Sequence, residues 1–140
     1  METLPSPAVA AAPGRPLRIT YWIVTVLLCL NLFAGVLDII KADAIRQSTQ
    51  SIGFPLTILP FLGTLKILGG LVLLFVRHPV LKIATYAGAV FYFLGAVATH
   101  LTVGQPLSTA FPAFVMLMLA GASFGLWYKL NQVRFITAED

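Results

Sequence analysis

Four side chains stand out as groups able to do chemistry within long apolar runs: Asn31, Asp38, Lys66 and His100. An ionisable group held in hydrocarbon costs about 2.5 kcal/mol or more, so each such residue calls for a partner or a task. Lys66 lies near the middle of its run, at about the depth that Asn31 occupies in the run before it. Asn31 and Asp38 are seven residues apart, which puts them on one face of a continuous helix. Asp38 near the end of the first run and His100 near the end of the third fall on the same side, so the four are expected to gather in one half of a helical bundle. Two readings follow. In one, they form a polar pocket open to that side, binding a small ligand or passing protons. In the other, Lys66 snorkels or pairs with Asp38 while His100 rests at the interface. Tyr92, at similar depth, reads as an aromatic filler whose hydroxyl reaches a backbone carbonyl, with a hydroxyl added to the pocket as the alternative.

Other chemistries find no support. Cys29 is the one cysteine and lies deep in an apolar run, where a thiol behaves as a small inert hydrophobe. It can form neither an internal disulfide nor a CxxC pair, and no Cys/His spacing suggests a metal site. The two histidines, His78 and His100, fall on opposite sides of the membrane, which excludes a bis-histidine haem. Phosphate-binding glycine loops, HExxH and nucleophile-elbow spacings are absent. No catalytic residue and no evident cofactor ligand emerges, and the chain reads as a non-enzyme.

The elements that must position these residues are membrane helices. Charged residues make up 10% of the 140-residue chain and hydrophobic ones 59%. Soluble domains average about 25% charged, so these charges are too few to cover a water-soluble globule, and lipid must cover most of the surface. Four apolar runs are legible: Ile19–Ile40, Phe54–Val76, Ile83–Val103 and Thr109–Tyr128. The last two are divided at Gly104-Gln105-Pro106-Leu107-Ser108, since a crossing takes about 20 residues. A barrel would need alternating polarity, which the runs lack. The expectation is an all-α, four-helix transmembrane bundle over residues 18–130, with a Pro- and Ala-rich disordered tail at 1–17 and a short tail at 131–140. Pro60 and Pro112 fall in the first turns of their spans, where a proline costs little.

Basic residues set the orientation. Arg15, Arg18, Arg77, Lys82, Lys129 and Arg134 share one side, against Lys41 and Arg46 on the other, which places both termini in the cytoplasm. Trp22, Trp127 and Tyr128 fall where interfacial anchors are expected. The net charge of +4 forms no basic stripe, so nucleic acid is not a partner. Residues 41–51 form the one long polar connection, too poor in apolar residues to be assigned an interfacial helix. Small residues at helical spacing (Gly63 and Gly70; Ala84, Gly88, Gly95 and Thr99; Gly121 and Gly125) mark the faces expected to point inward, meeting other helices of the chain or of a second copy in a homo-oligomer.

The ordered short motifs resemble a known family. Gly53-Phe54-Pro55, then Leu62-Gly63-Thr64-Leu65-Lys66-Ile67-Leu68-Gly69-Gly70, then Tyr86-Ala87-Gly88, Phe91-Tyr92-Phe93-Leu94-Gly95-Ala96 and His100 look like the DoxX-like pattern, with Phe33-Ala34-Gly35 matching its small-residue motif in span one. The family pattern carries a lysine in the second span and a histidine closing the third. Many members have a polar or acidic residue where this chain has Tyr92. The resemblance covers about residues 20–130. It implies a four-helix protein of the cell membrane (the inner membrane in bacteria), an accessory subunit of a membrane redox system, and a quinone or a redox partner held there. A small proton-coupled carrier using Lys66, Asp38 and His100 is the competing reading.

Overall fold

A computed structural model describes residues 13–136, so most of the expected N-terminal tail lies outside the described residues. The described chain is helical throughout: α1 Arg15–Phe33, α2 Gly35–Ile39, α3 Asp43–Ser51, α4 Leu59–Phe75, α5 Pro79–Thr102 and α6 Leu107–Ile136, with one 3-10 turn, Leu56–Ile58, leading into α4. Four segments are long and apolar enough to cross a bilayer: Arg15–Ile39, Leu56–Phe75, Pro79–Thr102 and Leu107–Gln132. Most of each span's surface faces outward, and large apolar side chains such as Leu30, Phe75, Phe91 and Leu107 lie bare on it. Such a surface is stable only in hydrocarbon.

The span boundaries differ from those expected in instructive ways. α5 starts at Pro79, because proline is preorganised for the first helical positions. α6 starts at Leu107 and runs on to Ile136, so Pro112 lies inside the helix rather than in its first turn. The first crossing is not one helix but two, separated at Ala34. There the Leu37 N–H donates to the Ala34 carbonyl, a tight three-residue bond that replaces one step of the regular ladder.

Around the bundle the spans follow the order α4, α1, α6, α5, and the ring closes where α5 returns to α4 along a looser seam. Leu28, Leu32, Leu73, Tyr86, Phe93 and Ala120 fill the core. Trp127 belongs to this core, stacked near Phe124 and Tyr86, and so is not the interfacial anchor expected from its place at a span end. Three hydroxyls knit α1, α5 and α6 together, with the Ser123 oxygen 2.7 Å from that of Thr25 and 2.8 Å from that of Tyr86. In lipid such contacts act as interhelical glue.

Lys82 is buried with no acidic partner among the hydrogen bonds and ion pairs described for it. Its ammonium donates to the Leu73 carbonyl at 3.0 Å and lies 3.5 Å from the Tyr21 hydroxyl. Leu73 is in the last turn of α4, whose carbonyls lack helical partners, so Lys82 caps the negative end of that helix from the start of the next.

At the end of the bundle away from the α4–α5 turn, three helices stop the same way. After α2, α3 and α5, the first residue past the cap is left-handed and paired backbone bonds close the last turn. Gly53 and Gly104 supply that conformation without strain, but Lys41 holds it at φ 53°. Lys41→Gly should therefore stabilise the protein by about 1 kcal/mol, read as a raised midpoint of reversible unfolding in mixed micelles.

Candidate functional site

Two glycines decide where the polar residues meet. A Cβ on Gly35 would stand 2.6 Å from the Gly63 carbonyl oxygen and 3.0 Å from the Lys66 Cβ; a Cβ on Gly63 would collide with the Gly35 carbonyl oxygen and stand 3.0 Å from the Asp38 Cβ. The backbones of α2 and α4 thus touch directly, which no other residue type allows at either position. Asp38 follows Gly35 by three residues and Lys66 follows Gly63 by three, so the crossing sets the two charged side chains face to face. The Lys66 ammonium donates to Asp38 Oδ2 at 3.0 Å, with the side chains 12% and 6% exposed. One turn beyond Lys66, Gly70 leaves room for the Phe33 ring.

This pair lines a cavity of about 420 Å³ in the half of the bundle away from the α4–α5 turn. His100, Tyr92 and Thr49 line it as well, so three of the four expected residues, Asp38, Lys66 and His100, share one space. Asn31 does not line it. The break at Ala34 separates the helix carrying Asn31 from the one carrying Asp38, so their spacing no longer sets a common face. The Asn31 Oδ1 atom is buried without a hydrogen-bond partner. Tyr92 is more than a filler: its ring centroid lies 5.9 Å from the Lys66 ammonium, close enough for a cation–π contact.

The mouth of the cavity is built from the polar connection before α4 and from the end of α5. The polar connection folds into α3, which turns Ile45, Ser48 and Thr49 toward the cavity. His100 does not point freely into solvent. Its Nδ1 lies 2.6 Å from Gln105 Oε1, and the Gln105 amide donates to the Ser51 hydroxyl at 2.9 Å. This chain of contacts ties the end of α5, the turn before α6 and the last residue of α3 into one rim.

The small-residue stripes behave differently from expectation. Gly63 and Gly70 do pack against another helix, but a Cβ on Gly88, Gly95, Gly121 or Gly125 would meet nothing within 4 Å. The stripe on α5 faces the seam with α4 without filling it. Gly95 and Thr99 line the cavity just described, while Ala84 and Gly88 line a second, apolar cleft of about 340 Å³ on the other side of Lys66. Small side chains here make space rather than contact. Among the described residues, no three His, Cys, Asp or Glu side chains gather in a way that could hold a metal. Cys29 is buried 3.9 Å from the Gly70 carbonyl, away from both spaces.

With this geometry in place, the family model described as DoxX-like matches residues 23–122, most of the chain. This chain belongs to the DoxX-like family. It is a multi-pass membrane protein, as both the DoxX-like match and the four apolar spans require. No curated protein and no solved structure is similar enough to the chain to match.

The DoxX-like site rests on a buried ion pair, which makes a testable prediction. Lys66→Met leaves Asp38 buried without its partner and should cost about 3 kcal/mol of stability, whereas Asp38→Leu with Lys66→Met should restore most of that loss. Denaturant titration of the wild type, both single variants and the double variant in mixed micelles measures the coupling; a double-variant loss equal to the sum of the two single losses would mean the two residues act separately.

Proposed function

We propose that this DoxX-like protein is a non-enzymatic, ligand-holding subunit of a membrane redox system, with both termini in the cytoplasm and the 420 Å³ cavity in the outer half of the cell membrane. One observation carries the reading: a buried, mutually neutralised ion pair lines a cavity of the size that small ligands occupy, about 300–1,000 Å³. A pair already satisfied by itself sets no net charge on its ligand. Its remaining capacity suits a neutral head that accepts a hydrogen bond from Lys66 and stacks near Tyr92. A quinone ring fits those donors, with carbonyl oxygens to accept and a planar apolar body to lie against Ile58, Leu62 and Phe91. Such a group would supply two-electron carrying capacity when bound. The residues of this chain would hold and orient it and would keep water out beneath α3. The carrier reading has less support, because the polar groups of the outer half end at Lys66 and Tyr92 against an apolar cleft.

The test is compositional. Protein purified from membranes in mild detergent should carry quinone above the content of the co-extracted lipid, and the Asp38→Leu, Lys66→Met double variant should lose that enrichment while remaining folded. No enrichment in the wild-type protein, or solute or proton flux through it in liposomes, would overturn the reading.

A further inference from the structure

The cleft between α4 and α5 runs from Lys66 and Tyr92 down to Val72 on α4 and Leu81 on α5, away from the outer cavity. Lys66 to Val72 spans six residues, about 9 Å along a helix. The walls are almost wholly hydrocarbon: Leu65, Leu68 and Val72 on one side, Leu81 and Ala84 on the other, with Gly69 and Gly88 keeping the floor low. The two spaces share two residues, Lys66 and Tyr92, so the polar cavity and the apolar cleft adjoin at this pair. Both lie on the seam where α4 and α5 pack least closely, and both are therefore approachable sideways from the bilayer.

We propose that the α4–α5 cleft is a binding site for a single hydrocarbon chain, acyl or isoprenoid, belonging to an amphiphile whose head occupies the outer cavity. The inference rests on the head-group reading above and adds to it the ligand's class and its route. The ligand is a chain-bearing amphiphile rather than a water-soluble solute, and it enters through the seam from the lipid. The polarity gradient favours this orientation, with the polar groups Asp38, Thr49 and His100 in the outer half and, beyond Lys66 and Tyr92, an apolar wall broken only by Thr85, whose hydroxyl already donates to the Leu81 carbonyl. Gly88 sets the capacity of the cleft. A Cβ there meets nothing within 4 Å, so a larger side chain is accommodated by the fold and takes up the space of the chain.

The test compares a prenylated benzoquinone with the same ring lacking the prenyl chain, by equilibrium binding to the full-length protein in detergent micelles. The wild type should bind the prenylated ring at least tenfold more tightly. Gly88→Leu should remove that advantage and leave the affinity for the bare ring unchanged, with unfolding and gel filtration as for the wild type. If the wild type binds both rings equally, or Gly88→Leu leaves the difference intact, the chain site is overturned and the head-group reading stands. If neither ring binds the wild type, the head-group reading falls and this inference with it. If Gly88→Leu instead alters the oligomeric state, the cleft is a contact between copies and the inference is likewise overturned.

Discussion

The contact of one backbone with another at Gly35 and Gly63 is the constraint on which the rest of the molecule depends. Helices in lipid gain nothing from burying apolar surface, so close approach has to come from small residues. Here the approach is close enough that each glycine meets the other's carbonyl, and the two charged residues three positions on have no geometry left but to face each other. The cost of placing Asp38 and Lys66 at this depth is then offset by their mutual attraction and hydrogen bond. The pair is a consequence of helix packing before it is a feature of chemistry.

The first span shows what this contact asks of the chain. An unbroken helix would carry Asn31 and Asp38 on one face. The interruption at Ala34 instead separates the two, so that Gly35 is presented to α4 and Phe33 fills the notch left by Gly70. The break is local, written in one tight backbone bond rather than in a proline, and nothing in the apolar periodicity of the run marks it.

Much of the fold was legible because bilayer crossing is a coarse requirement. Length, hydropathy and the break near Gly104 are enough to count four spans, and Asp38, Lys66 and His100 could be assigned to one half from their positions along those spans. Four features were not legible. Asn31 left the site because of the Ala34 break. Lys82, read as a topology signal, turned inward to cap α4, since whether a lysine at a helix start snorkels outward or meets a carbonyl depends on where the preceding helix ends. The stripe on α5 borders voids rather than a tight contact, and spacing alone cannot distinguish small residues that admit a neighbour from small residues that leave a void. Residues 41–51 showed little of the covering role of α3, because a few apolar side chains such as Ile45 suffice when the surface beneath is so near.

The uneven closure of the ring has a mechanical meaning. Three of the four seams are locked by interdigitated rings, hydroxyl contacts or touching backbones, while the fourth, between α4 and α5, packs most loosely and is crossed by the Lys82–Leu73 hydrogen bond near the Val76–His78 turn and the Lys66–Tyr92 contact further along. Such a body is stiff in most directions and compliant in one. That seam faces the acyl tails of the bilayer rather than either aqueous phase.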